Sequence, residues 1–332
     1  MYLQPVVSNR QATVFHRLLF NITIIKDAAF GEPFLRSFSL PSSGQTFLIA
    51  ILLISSDELQ HRFTKLQPLI RKAGQHVTHM RKMNQATVTY KSDGSPVTRA
   101  DEWANEFLKH EISTLFPEDV IIGEEDERKE YPAGSKLVWY LDPIDGTSSF
   151  VKGGSDYYVL AGLSCEGQPV LGLHYHPKTD RLIYGWTGHG AKSITGDTSP
   201  EPLEAKMPAW SQESRIFIKS YIAELREQVK GLGITRARYL PGMVDMVGPL
   251  FGKSEGFVSY RTTAYWDLVA PAAIMAAAGF QHSGTPPNGQ APLLFNDGKW
   301  TTTFYYCLPP NTPDTFIASL YEIRQTFETE ER

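Results

Sequence analysis

Cysteine is nearly missing from this chain. Cys165 and Cys307 are the only two in 332 residues, and they stand far apart. A disulfide-stapled fold and a zinc site of clustered cysteines are thereby excluded, and a reducing compartment, the cytoplasm, is expected. Strong net charge is missing too. A formal charge of −4 gives no general attraction to nucleic acid or to an anionic membrane, so neither is expected as a partner. The apolar run at residues 47–54 (FLIAILLI) is too short to span a bilayer and lies too far in for a secretory signal. Acids are scarce at the start, where Asp27 and Glu32 are the only two in the first 56 residues. Few acids would suit a transit peptide, but arginines are also few. A natural start near Ser55 or later is a second option, and an appended or poorly packed extension over residues 1–56 is the favoured one. A membrane tether built on residues 47–54 is a further alternative. There are no internal repeats and no long linker, and no Ser–His or Cys–His pairing suggests a nucleophile. The length allows one large domain or two.

What is present begins at Leu59. Leu59, Phe63, Leu66, Ile70, Ala73, Val77 and Met80 step by four and three, one face of a long amphipathic helix. Pro68 inside it predicts a kink or a break. Arg71, Lys72, Arg81 and Lys82 read as its solvated face. Residues 91–97 open as a turn, and Thr98 with Asp101 has capping-box spacing before the apolar face of Trp103, Phe107, Leu108, Ile112 and Leu115. Asp101 is equally well read as a helix-start residue or as a carboxylate held rigidly for function. Residues 120–122 form a short strand running into Gly123-Glu124-Glu125-Asp126-Glu127. Four acids in a row are usually a solvated loop, but Glu124 directly follows the strand end.

The chain is organised around Trp139-Tyr140-Leu141-Asp142-Pro143-Ile144-Asp145-Gly146-Thr147. A buried strand ends in two carboxylates three residues apart. Pro143 stiffens the turn, and Gly146 permits a tight turn and close approach to a ligand. Thr147 is expected to cap one helical turn over residues 147–151, whose free N–H groups would face an anion. Two acids beside an anion require a cation between them, so the run reads as a divalent-metal site that holds a phosphate. The plain alternative is an Asx-type turn.

Residues 157–163 and 169–176 read as paired strands that place His174 and His176 on one face. Metal ligation by the two has no third ligand nearby, and a structural role is favoured. Residues 216–220 restart a strand, 222–229 suit a helix, and residues 243–250 another ending at Gly252. Tyr265-Trp266-Asp267-Leu268-Val269-Ala270-Pro271 opens an alanine-rich helix. Because proline is best tolerated in a first turn, its start is expected near Asp267, which could serve only as an N-cap. A last amphipathic helix is expected over residues 316–327.

Three separated motifs together resemble the inositol monophosphatase superfamily of magnesium-dependent, lithium-sensitive phosphomonoesterases. They are Gly123-Glu124-Glu125, Asp142-Pro143-Ile144-Asp145-Gly146-Thr147 and Trp266-Asp267. The resemblance covers most of residues 57–329. It implies an α/β (α+β) fold, a layered α-β-α-β-α sandwich like that of inositol monophosphatase and fructose-1,6-bisphosphatase. A metal-binding subdomain at 57–200 would be followed by an α/β subdomain at 201–332. By the same resemblance, Glu124, Asp142, Asp145, Asp267 and the Ile144 carbonyl would hold two or three Mg2+ ions, with Asp142 bridging. Oxygen-only ligands suit magnesium. Gly146 and Thr147 would bind the phosphate beside Glu124, Ile144, Asp145 and Asp267. Asp101 would orient the Thr147 hydroxyl, which positions the attacking water with Glu124.

The implied substrate is a small phosphorylated metabolite. Residues 91–101 look more like the 3'(2'),5'-bisphosphate nucleotidase and histidinol-phosphatase branches than the inositol branch. Ala270-Pro271 also resembles some nucleotidases, while Ser148-Ser149-Phe150 lacks the Lys-Glu common after their Asp-Gly-Thr. Arg261 could meet a second phosphate, though a surface arginine is the plainer reading. Adenosine 3',5'-bisphosphate is therefore the favoured substrate, ahead of inositol monophosphate and histidinol phosphate. A phosphate-ligand binding protein without turnover is the reading from another class. A homodimer is implied by resemblance alone.

Overall fold

Ser55 starts the first helix. Its hydroxyl accepts the Glu58 N–H at 3.1 Å, and α1 then runs unbroken over Ser56–Lys82. The four-three stripe from Leu59 to Val77 is buried along its length. Of the kink or break expected at Pro68, the break does not occur. Burial of Leu66 and Ile70 on either side holds the chain helical across the missing N–H. The computed structural model describes residues 54–92, 94–127, 131–203, 210–211, 214–220, 222–236, 244–285 and 293–328. The expected extension, and with it the apolar run at 47–54, lies outside them up to residue 53. Ile54 is buried in the core that α1 covers.

After α1 come a hairpin, β1 (Val88–Tyr90) and β2 (Pro96–Thr98), and helix α2 (Arg99–Leu115). The capping box is formed. Thr98 Oγ1 accepts the Ala100 and Asp101 N–H groups, and Asp101 Oδ2 accepts the Thr98 N–H at 2.8 Å. A seven-stranded sheet follows: β3 (Val120–Gly123), β4 (Leu137–Asp145), then, after the short helix α3 (Thr147–Val151), β5 (Tyr158–Cys165), β6 (Gln168–His176), β7 (Arg181–Trp186), β8 (Gly190–Thr195) and β9 (Glu201–Pro202). The strands lie in chain order, with β3 and β4 parallel and the rest antiparallel.

The remainder contributes β10 (Arg215–Lys219), α4 (Ala223–Gly231), β11 (Thr235–Arg236), α5 (Val244–Val247), β12 (Gly256–Ser259), β13 (Thr263–Ala264), α6 (Tyr265–Ala277), β14 (Gln281–Ser283), β15 (Thr301–Thr302), β16 (Tyr305–Leu308) and α7 (Asp314–Glu328). A second sheet has the order β11-β10-β12-β16-β14. Among the described residues three large apolar cores, with a small cluster of Tyr158, Leu160 and Ala270 between β5 and α6, separate five layers. One lies between α1, α2 and the first sheet, one between that sheet, α6 and the second sheet, and one between the second sheet, α4 and α7. This is the α-β-α-β-α sandwich.

Helix α6 starts earlier than expected. Ala264 is its N-cap, so Asp267 is not the capping residue and Pro271 lies well inside. The helix is buried almost all round, which offsets the proline and leaves the Asp267 carbonyl without its helical donor. Close seating fixes its height. A side chain on Gly172 would put Cβ 2.0 Å from the Ala270 carbonyl oxygen, and one on Gly162 would put it 2.4 Å from the Ala270 nitrogen.

Candidate active site

The parallel pair β3–β4 delivers the first acids. Glu124 follows the last residue of β3, and its N–H donates to the Leu141 carbonyl at 3.0 Å, which pins Glu124 beside the end of β4. Asp142 is 2% exposed on β4, and its Oδ1 accepts the Ile144 N–H at 3.0 Å. A register shift then separates Asp142, opposite Leu160, from Asp145, opposite Tyr158, at the end of the strand. From the opposite layer, α6 brings Asp267 within its first turn. Burial pushes the Asp142 carboxyl well above the usual carboxylate range, and the charges of Glu124, Asp145 and Asp267 push it further. Burial also raises Asp267, to about 6; Lys219, Arg261 and Lys91 pull it back while Glu124 adds to the rise. Four acids from three separate stretches thus bear on one place.

Thr147 stands beside them. Gly146 has φ 91° and is itself the N-cap of α3, so Thr147 is the first helical residue and not the cap. A Cβ at Gly146 would lie 2.6 Å from the Asp156 carbonyl oxygen, so the turn admits no larger residue. Thr147 Oγ1 donates to the Ile144 carbonyl at 2.9 Å and faces Asp101 Oδ1 at 3.4 Å. Asp101 is fully buried, its carboxyl pushed up to about 6 chiefly by burial, against the pull of its Thr98 hydrogen bonds and with Glu124 adding to the rise. It caps α2 with one oxygen and meets Thr147 with the other. The helix-start reading of Asp101 is met, and its second oxygen is left facing Thr147.

Sequence reasoning missed two groups here. Lys91, at the hairpin turn, puts Nζ 2.8 Å from Glu124 Oε1 and 2.8 Å from Glu125 Oε1. Glu125 is drawn into the cluster, its carboxyl raised to about 7 by burial first and by Glu124 next. The adjacency Gly123-Glu124-Glu125 was visible; the reach of Lys91 across 33 residues was not. Asp126 has a different task, since its Oδ2 accepts the Gly123 N–H at 2.9 Å and its Oδ1 meets Asn105 and Lys109.

The histidines stand apart from this chemistry. His174 is fully buried, neither ring nitrogen has a hydrogen-bond partner among the described residues, and burial pushes its pKa down to about 3. His176 instead reaches Thr179 and the Ser155 carbonyl.

Among the described residues, no three His, Cys, Asp or Glu side chains close on one point as a ready-made ion cage. The donor chemistry nonetheless fits a hard divalent cation. The donors are carboxylate oxygens, three of them crowd the buried Asp142 carboxyl with like charge, and a bound cation would relieve that.

Comparison with known proteins comes to the same place. The sequence model described as the inositol monophosphatase family matches residues 59–304. An inositol-1-monophosphatase of Bacillus subtilis is 27% identical over 217 residues, spanning 63% of this chain and 80% of its own length. A histidinol-phosphatase of Chlorobaculum parvum is 38% identical over 218 residues, spanning 64% and 81%. The 3'(2'),5'-bisphosphate nucleotidase CysQ of Escherichia coli K12 is 28% identical over 198 residues, spanning 58% and 77%. The solved structure of an IMPase from Thermotoga maritima covers 80% of this chain and 99% of its own with a TM-score of 0.61 at 22% identity, a likeness of fold.

Proposed function

This chain belongs to the inositol monophosphatase family, and from that premise we propose that it is a magnesium-dependent phosphatase of small phosphate monoesters. The observation that carries the reading is the burial of Asp142 among Glu124, Asp145 and Asp267 with Thr147 and Asp101 alongside. Those four carboxylates and the Ile144 carbonyl would hold two or three Mg2+ ions. Bound magnesium would neutralise charge on the phosphoryl group and acidify a water. The N–H groups of Gly146 and Thr147 hold the phosphate, since first-turn N–H groups have no acceptor within a helix. Asp101, ionised, would draw the Thr147 hydroxyl hydrogen from the Ile144 carbonyl, which is then free to meet the cation, and so fix the hydroxyl's direction. Thr147 Oγ1 and the Glu124 carboxylate then position the attacking water. Positioning and charge neutralisation do most of the work in phosphoryl transfer.

The favoured substrate is adenosine 3',5'-bisphosphate. Lys219 ends β10 in register with Ser259 at the end of β12, and Lys219 and Arg261 both temper the charge on Asp267. A substrate with a second phosphate suits such a wall. Histidinol phosphate is the second reading, supported by the 38% identity to a histidinol-phosphatase. Inositol 1-phosphate is the third. Lithium sensitivity, a homodimer and a cytoplasmic location complete the proposal. Among the described residues no helix is long and apolar enough to cross a membrane.

Phosphate release from these three esters and fructose 1,6-bisphosphate, with magnesium, with EDTA and with lithium, tests the reading. One strongly preferred, magnesium-dependent, lithium-inhibited substrate is expected, with adenosine 3',5'-bisphosphate first. Asp145→Asn should abolish turnover; unchanged turnover in that variant would sink the mechanism. Phosphate binding without release from any ester would favour the non-catalytic binding protein.

A further inference from the structure

The last turn of α1 carries an arginine whose place its sequence neighbourhood conceals. Arg81 sits among basic residues and reads as solvated, yet its guanidinium turns inward. Nη1 donates to the Gly154 carbonyl at 2.7 Å and to the Phe150 carbonyl at 3.2 Å. The same group lies over the rings of Phe150 and Tyr157, 4.9 Å and 4.8 Å from their centroids. Both rings are buried and meet edge to face. One turn earlier on α1, Thr78 Oγ1 and the Tyr157 hydroxyl are 2.7 Å apart.

The segment so held is the exit of the turn that begins at Gly146. Helix α3 is a single short turn and cannot hold its shape alone. At its entry the Gly146 carbonyl accepts the Ser149 and Phe150 N–H groups at 2.8 Å and 3.0 Å. At its exit, Arg81 joins the Gly153 N–H on the Phe150 carbonyl and takes the Gly154 carbonyl just beyond, and its charge opposes the negative end of the turn. Thr147 lies between these fastenings. The metal-ligand candidates lie outside this clamp, at the strand ends and on α6.

We propose that Arg81 is a positioning residue for the phosphate-holding turn, setting the place of Gly146 and Thr147 through the Phe150 and Gly154 carbonyls. The inference rests on the reading of that turn as the phosphate site. It separates phosphate binding from metal binding, since its charge and hydrogen bonds act on one side of the site.

The test compares wild type, Arg81→Met and Arg81→Lys. Inorganic phosphate binding in the presence of magnesium and magnesium binding alone are measured by calorimetry, and KM and kcat on the preferred ester by phosphate release. Arg81→Met should weaken phosphate binding and raise KM by about tenfold to a hundredfold, the scale of a misplacement near 1 Å. Magnesium affinity should stay within about twofold, because the carboxylates are not held by this contact. Arg81→Lys, able to reach one carbonyl, should fall between. A folded Arg81→Met with wild-type phosphate affinity and KM overturns the proposal, as does an equal loss of magnesium and phosphate binding. If Arg81→Met does not fold, Arg81→Lys decides: wild-type phosphate affinity there overturns it. A wild type that binds phosphate but releases none sinks the phosphatase reading and leaves this one standing. A wild type that binds no phosphate sinks both.

Discussion

Two aspartates with buried carboxylates border the strand pair β3–β4 at one edge of the first sheet, and they are buried on opposite terms. Asp119 precedes β3 and accepts the Trp139 indole N–H at 2.8 Å from the start of β4. It is paired with Arg62, whose guanidinium also covers the Phe116 ring and meets Glu58. Every charge there has an opposite partner and a hydrogen bond. Asp142, towards the other end of β4, is buried beside three acids, and their charges make its own charge harder to hold. The same strand thus carries one acid that belongs to the fold and one that the fold tolerates at a cost. Strain of the second kind is what a cation-dependent site requires before its cation arrives.

The sharpest way to break this comparison is to neutralise each acid. Asp142→Asn should lower turnover by about a thousandfold or more, several kcal/mol of lost charge stabilisation. In EDTA the same variant should melt at or above the wild-type temperature, because it removes a repelled carboxylate. Asp119→Asn should do the reverse. Breaking a buried pair leaves Arg62 uncompensated and costs about 3–5 kcal/mol of stability, while kcat of the folded protein stays at the wild-type level. Thermal melts and kcat for both variants check the pair. Asp142→Asn melting well below wild type in EDTA would erase the distinction.

How much of this was readable beforehand follows from sequence distance. Asp142, Asp145, Gly146 and Thr147 announce themselves because a strand end, a turn and a helix start lie within a few residues. The Thr98–Asp101 box is equally local. Arg62 with Asp119, Lys91 with Glu124 and Arg81 with Gly154 join residues 57, 33 and 73 positions apart, and no local period encodes them. The two prolines misled for a related reason. Pro68 argued for a kink or a break and Pro271 for a helix start near Asp267, and tertiary burial carries the first helix through without a break and starts the other helix two residues earlier, at Tyr265. The five layers were expected from resemblance to a family. The patterns of single segments gave helices and strands but not their stacking.

The seating of α6 offers a finer test, because it links the fold to Asp267. Gly172→Ala would force a Cβ against the Ala270 carbonyl oxygen at 2.0 Å, and backbone cannot yield there as a flexible side chain could. Overpacking of this kind costs about 1–3 kcal/mol. The helix should lift, carrying Asp267 from the other acids, so magnesium binding by calorimetry should weaken together with the melting temperature. Gly231, with nothing within 4 Å of its Cβ position, is the control and should accept alanine without loss. Weakened stability with unchanged magnesium affinity would show that Asp267 is placed by something other than the glycine seam.

Asp101 gives the smallest expected effect and the most discriminating one, because it stands between the two kinds of acid. Like Asp119 it has donors, both from Thr98; like Asp142 it is raised by burial and by Glu124. Its carboxyl is raised from 3.8 to about 6, so in the metal-free protein stability should fall as pH climbs through that interval, where the unfolded chain has already released the proton. Activity should run the other way. Only the ionised carboxylate is free to accept from Thr147 with Oδ1 while holding Thr98 with Oδ2. Cation loading would remove the Glu124 contribution but leave burial, the larger cause. A profile of kcat between pH 5 and 8 should therefore show an acid limb near pH 6, losing about tenfold per unit below it. Asp101→Asn should flatten that limb while lowering the plateau. A limb unchanged in the variant would assign the titration to another group and reduce Asp101 to its part in the cap.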